Sequence, residues 1–189
     1  MRGLFHKSIG IVVLIGLAAC SQTYTTADGT SKTTKVPKAV LNYDKTKAAV
    51  EEGAVAFAEA RAGSQYYKSI STVEATGFKN GLMSLVHIPI NNEGAEKAIT
   101  ETLTGKDFAS QAGKYSLHVN LDRATLNGGT VLDMSYSLRN QAGQEIAKFT
   151  EQSKFNVPFS AAPLGAVRGR IEFIGSFNNN LAQLTQQLR

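Results

Sequence analysis

Tyr115-Ser116-Leu117-His118-Val119-Asn120-Leu121-Asp122 is the stretch that decides the fold. Apolar side chains at 115, 117, 119 and 121 alternate with polar ones between them, the period of a strand with one buried and one wet face. The same period returns at Leu132, Met134, Tyr136 and Leu138, set against Asp133, Ser135, Ser137 and Arg139. Asn127-Gly128-Gly129 makes a turn between the two runs, and Asn140 to Gly143 makes another before a third strand from Glu145 to Val157. Three hairpin-linked strands form an antiparallel meander, and its apolar face needs a cover.

The residues from about Leu164 to Leu188 supply that cover. Val167, Ile171, Ile174, Phe177, Leu181, Leu184 and Leu188 step by three and four, an apolar helical stripe. Gly169 and Gly175 lie inside it, each unfavourable by about 1 kcal/mol relative to alanine, so close packing on the sheet or a kink is expected. Upstream, Asn91-Asn92 opens a shorter helix carrying Ala95, Ala98, Ile99 and Leu103, with Gly105 after it and Glu93 near its positive end. Leu82, Val86, Ile88 and Ile90 lean to one side of an extended segment over 81–90, where Pro89 disfavours helix. Asp44 to Gly63 is alanine-rich and reads as a helix capped by Asp44, with Val50, Ala54, Phe57 and Arg61 on one face. A strand from Val55 to Ala60 is the competing reading there. Ser64 to Asn80 has no clear period and reads as loop with extended pieces. The fold class is therefore α+β, an antiparallel β-meander packed against a long C-terminal helix and one or two shorter helices.

The other informative stretch lies at the amino terminus. Arg2 and Lys7 precede an apolar run from Ile9 to Leu17, then Ala18, Ala19 and the only cysteine, Cys20. A basic start, a short apolar run and a small-residue cleavage site are the layout of a secretory signal. The run falls well short of the roughly 20 apolar residues that cross a bilayer. Leu17-Ala18-Ala19-Cys20 resembles the lipobox of bacterial lipoproteins. That resemblance implies cleavage before Cys20, a diacylglycerol on its thiol and an acylated new amino terminus. Several acyl chains then hold the protein to membrane lipid without a membrane-spanning helix. Ser21, where an aspartate would favour the inner membrane, implies outer-membrane attachment facing the periplasm, with the inner membrane and the cell surface as alternatives.

This divides the chain into a signal peptide over 1–19, a lipidated cysteine and flexible tether over 20–43, and a single α+β domain over 44–189. Ser21 to Lys38 is threonine-rich and short of large apolar residues, so it does not offset its own ordering entropy. At about 5–6 Å times the square root of residue number, it reaches roughly 20–25 Å.

The order of lipidated cysteine, polar tether, helix, meander and closing helix also resembles small α+β envelope accessory lipoproteins. These include the partner of the lipopolysaccharide-insertion barrel and auxiliary parts of lipid-transport systems. Arg168-Gly169-Arg170-Ile171-Glu172 through Asn178-Asn179-Asn180-Leu181 is similar to the ending of a group of uncharacterised proteobacterial lipoproteins. The resemblance implies a non-catalytic accessory or interaction protein of the envelope, in outer-membrane assembly, lipid or lipopolysaccharide transport, or envelope integrity, with an envelope protein as partner. Lys154, Arg168 and Arg170, flanking the last helix, are the candidate contact residues.

Composition narrows the rest. The 20 basic side chains fall to 18 once Arg2 and Lys7 leave with residues 1–19, against 15 acidic ones. A scattered surplus of about three fits faint attraction to anionic head groups, and argues against nucleic acid as a partner. One cysteine allows no internal disulfide, so the fold stands on its core. His87 and His118 have no partner at metal-ligand spacing, and neither a G-x-S-x-G elbow nor a phosphate-binding loop is present. No catalytic residue, metal or cofactor is expected. Glu51 and Glu52 are neighbours on a helix, so they diverge onto a solvated face. His118, with Asn120 and Asp122 beyond it on the wet face, carries the alternative, a periplasmic small-ligand-binding protein or hydrolase. A closed polar pocket near His118 would be its sign.

Overall fold

The computed structural model describes residues 21–25, 31–35, 42–78, 90–126 and 128–189. Cys20, the residues before it, the segment 79–89 and Asn127 lie outside the described residues, and with them the expected lipid attachment and most of the expected 81–90 strand.

Two units are present and are described separately. In the first, β1 (Ser21–Thr25) pairs antiparallel with β2 (Ser31–Lys35), with Ser21 opposite Lys35 and Thr25 opposite Ser31. The sequence reading has no regular structure here. Threonines at 23, 25, 33 and 34 are β-branched and favour extended backbone, which suits the pairing.

The second unit begins at Asn42, two residues before the expected boundary. α1 (Tyr43–Gly53) is capped by Asn42, whose side chain accepts from Lys45 N–H at 3.1 Å, and not by Asp44. It ends at Gly53, ten residues short of the expected Gly63. Residues 54–61 are neither the longer helix nor the competing strand. Ala60 N–H donates to Lys106 O at 2.9 Å, and three other backbone groups of this segment bond to side chains of the last helix. Val55 N–H donates to Asn179 Oδ1 at 2.9 Å, Ala58 N–H to Thr185 Oγ1 at 2.9 Å, and Gln186 Nε2 donates to Ala56 O at 3.1 Å. Backbone polar groups must be satisfied somewhere, and here a helix surface takes the place of a strand partner.

β3 (Ile70–Thr76) is an extended piece within the 64–80 stretch that reads as loop with extended pieces. α2 (Asn92–Gly105) follows, capped by Asn91 Oδ1 accepting from Gly94 N–H at 2.8 Å, and buries Ala95, Ile99 and Leu103 as its spacing predicts. β4 (Tyr115–Leu126), β5 (Thr130–Asn140) and β6 (Glu145–Phe155) are the antiparallel meander. β3 adds to its edge parallel to β4, so the four-stranded sheet, ordered β3-β4-β5-β6, is mixed and mostly antiparallel. A parallel neighbour needs a crossover connection, and α2 lies on it, packed against β3. The turn after β5 is held by Asn140 Oδ1, which accepts from both Ala142 and Gln144 N–H at 3.0 Å, with Gly143 at φ +78.

α3 (Gly165–Gln187) and α2 join one face of the sheet in a single core. Leu117, Val119, Leu121, Leu132, Met134, Tyr136 and Leu138 meet Ile99, Leu103, Phe173, Phe177, Leu181 and Leu184 there. α3 is buried more widely than the expected stripe, because residues 54–61 cover a second side of it. Phe173, Asn179, Asn180 and Thr185 are buried, whereas Ile174 of the expected stripe is half-buried. A polar seam fixes its register: Tyr136 Oη donates to Asn180 Oδ1 at 2.6 Å, and Asn180 Nδ2 donates to Glu151 O at 3.0 Å and Ser153 Oγ at 3.2 Å. Burial first, then the Glu151 charge, pushes the Tyr136 hydroxyl well above its ordinary value of 10.0, so it stays a donor. Gly175 is where the helix approaches β6 most closely, since a Cβ there would run into the buried Phe155 ring. Gly169 has open space around it and needs no glycine for packing.

Candidate functional site

The end of β6 and the chain that follows it run between two open clefts. One, about 510 Å³, is lined by Lys45, Ala49 and Glu52 of α1 together with Lys154, Asn156 and Pro158. The other, about 670 Å³, is lined by Leu126, Phe159, Ala166, Arg168 and Glu172, again with Asn156 and Pro158. The segment 154–159 is thus the ridge between them.

Three of the four exposed large apolar side chains among the described residues gather at this end: Leu126 (57% exposed), Phe159 (70%) and Leu164 (46%). Leu126 and Phe159 line the larger cleft, and Leu164 precedes its Gly165. α3 starts here at Leu164 with no side-chain cap and no acid in its first turn. Gly165 and Ala166 of this uncapped first turn, at the positive end of the helix dipole, line the larger cleft. Glu172 is 4% exposed, accepts from Val157 N–H at 3.1 Å and lies 3.9 Å from Arg168 Nε.

The structure brings together two of the three candidate contact residues. Arg168 donates to Ala162 O at 3.2 Å and lies over the Phe159 ring at 5.5 Å, so part of its role is to hold the loop before α3. Lys154 is exposed, lines the smaller cleft, and its Nζ lies 3.8 Å from where a Cβ on Gly128 would sit, at the rim of the larger one. Arg170 lines neither cleft; two residues on, it lies about 200° round the helix from Arg168. The apolar members of the patch are isolated in sequence, so neither periodicity nor motif marks them.

A second arrangement lies on the open face of the sheet. His118 Nδ1 is 3.0 Å from Glu74 Oε2, and its Nε2 is 3.3 Å from Ser116 Oγ. Asn120 and Asp122 do not orient the imidazole. They bond each other at 2.6 Å, and Thr76 and Ser135 bond them in turn. A hydroxyl, an imidazole and a carboxylate in series is the connectivity of a nucleophile, a base and its orienter. None of the three lines either cleft. Among the described residues, no three His, Cys, Asp or Glu side chains are placed to hold a metal ion, and no helix is long and apolar enough to cross a membrane.

No family model matches this chain, and no curated protein matches it. In solved structures it is similar to the PelC dodecamer from Paraburkholderia phytofirmans, at 11% identity and a TM-score of 0.37, covering 66% of this chain and 96% of that one. It is also similar to a minor lipoprotein from Acinetobacter baumannii, at 15% identity and a TM-score of 0.34, covering 64% of this chain and 91% of that one. These likenesses carry no residue, ligand or partner over to this chain.

Proposed function

We propose that this chain is a bacterial lipoprotein, anchored through acylated Cys20 to the periplasmic face of the outer membrane, whose domain acts as a non-catalytic accessory or interaction protein of the envelope. The observation that carries this reading is Leu17-Ala18-Ala19-Cys20 closing a short apolar run behind Arg2 and Lys7. A domain with exposed apolar and basic side chains concentrated at one end supports it, since such patches are where soluble proteins meet partners or membranes. The test is in-cell crosslinking followed by purification through a tag after Arg189, alongside a Cys20→Ala control. One envelope protein recovered in near-equal amount, and lost in the control, is the expected result. Recovery unaffected by Cys20→Ala would remove membrane placement from the account.

The Ser116, His118 and Glu74 contacts favour a second reading, a periplasmic hydrolase. It ranks below the first because the three groups sit on an open sheet face and line neither cleft, so nothing described beside them binds a substrate or excludes water. Turnover of small esters by the purified chain, abolished by Ser116→Ala and by His118→Ala with the fold intact, would establish it. The interaction reading predicts no turnover above buffer and no effect of either substitution.

A further inference from the structure

We infer that the end of the domain formed by Leu126, Phe159 and Leu164, with Lys154 and Arg168 beside them, rests on the lipid layer itself. This inference deepens the proposed function and rests on the anchor at Cys20. Its first support is where the chain from that anchor enters the domain. Asn42 N–H donates to Ala161 O at 3.1 Å, and Thr46 Oγ1 donates to the same oxygen at 3.0 Å. Ala161 lies between Phe159 and Leu164 in the chain, so the entry point and the exposed apolar side chains share one end of the domain.

The second support is linkage. Ser21 to Leu41 is all that separates the lipid-bearing Cys20 from Asn42, and so short a linker gives even weak contacts with the lipid a high effective concentration.

The third is chemical fit. A lipid surface presents anionic head groups above an apolar layer, and an interfacial site inserts its apolar side chains about 5–10 Å with cations around them. Phe159 and Leu126 are more than half exposed, a costly placement in water that a lipid interface relieves. Lys154 and Arg168 flank them, and the uncapped start of α3 adds positive potential on the same side. Arg168 lies over Phe159 and so keeps its cation beside the ring that inserts. Glu52 is the one carboxylate lining the smaller cleft, which Lys45 and Lys154 also line, while Glu172 is buried and bonded.

The sequence provides a clean test, because the chain has one cysteine and no tryptophan. The chain from Cys20 to Arg189 is coupled through its thiol to a maleimide lipid in vesicles of phosphatidylethanolamine and phosphatidylglycerol containing a brominated phosphatidylcholine. Quenching of the Phe159→Trp variant is compared with that of Ile146→Trp, which sits at the other exposed apolar position, near the start of β6. Both sites are exposed, so both variants keep the fold. Quenching about threefold greater at position 159 than at 146 is expected from interfacial insertion, and adding Leu126→Glu and Leu164→Glu should return it to the level at 146. Equal quenching at the two positions overturns the inference and leaves the patch to a protein partner. Chemical coupling makes this result independent of acylation in the cell. Quenching at 159 in a chain that incorporates no palmitate in cells would keep the surface and refute the anchor.

Discussion

Tyr136 Oη donates to Asn180 Oδ1 at 2.6 Å in a site that excludes water, tying the middle of β5 to the middle of α3. The bond joins the two elements whose packing closes the core, within a buried polar seam that also holds Ser153 and Ser176. Tyr136→Phe leaves the amide oxygen buried without its donor, which should lower stability by about 1–3 kcal/mol. For a domain of this size each kcal/mol lowers Tm by about 2–4 °C. Asn180→Ala should cost at least as much, and urea unfolding of the double variant should show less than the sum, because both changes remove the same bond.

The two glycines of α3 should respond in opposite senses to the same change. Gly169→Ala places a methyl in open space within a helix and should stabilise by about 0.5–1 kcal/mol. Gly175→Ala forces the buried Phe155 ring to move, and that ring also packs over Gly53 of α1. Overpacking there should destabilise by about 1–3 kcal/mol despite the better helix propensity. Thermal unfolding of the pair separates the two cases.

Asn179 holds the chain where α1 gives way to extended backbone, donating to Gly53 O at 2.7 Å while accepting from Val55 N–H. Asn179→Ala orphans both groups. Hydrogen exchange should quicken at Val55, and by extension at Ala58, with global stability falling by about 1–3 kcal/mol. Unchanged exchange at Val55 would mean that the segment is held by its apolar contacts alone.

Two carboxylates should give stability opposite slopes with pH. Burial raises the Glu151 carboxyl above its ordinary 4.5, a shift that a hydrogen bond from Gln187 opposes. Its protonated form is therefore favoured in the fold. The stability it contributes is present below the unfolded value and is lost as pH rises through the folded one. Glu151→Gln should remove that slope and leave the domain more stable at neutral pH than the native chain. Asp133 lies below its ordinary 3.8 because Gln152 donates to it, with Arg123 adding to the effect. Its contribution is present above 3.8 and lost as pH falls through the folded value. Urea unfolding of Glu151→Gln and Gln152→Ala across the acid range checks both signs.

The meander was legible because β5, and β4 as far as Leu121, alternate between buried and less buried positions, and the sequence records that alternation directly. α2 was legible to its cap for the same reason, with one apolar face and an asparagine before it. β3 was legible only as an extended piece within a longer loop, since Ile70-Ser71-Thr72-Val73-Glu74-Ala75-Thr76 carries a bulge after Ile70 and buries only Ile70 and Ala75, which leaves no alternating pattern. Residues 54–61 could not be read from local pattern, because their partners are distant in sequence: Lys106 for Ala60, and Asn179, Thr185 and Gln186, more than a hundred residues away, for Val55, Ala58 and Ala56. The same non-locality hid the second buried side of α3. Charge singles out Lys154 and Arg168 in the sequence, whereas Leu126, Phe159 and Leu164 come together only where the fold gathers three unrelated positions. His118 was singled out with Asn120 and Asp122, whereas its partners are Ser116 and, on β3, Glu74.

Metabolic labelling distinguishes a lipid-bearing Cys20 from an unmodified one. Cells producing the full chain with a tag after Arg189, and a Cys20→Ala variant beside it, are fed an alkyne analogue of palmitate, and the purified chains are weighed intact. The account predicts label on the native chain alone, with a mass that begins at an acylated Cys20. An unlabelled chain, or one that still carries residues 1–19, would contradict it.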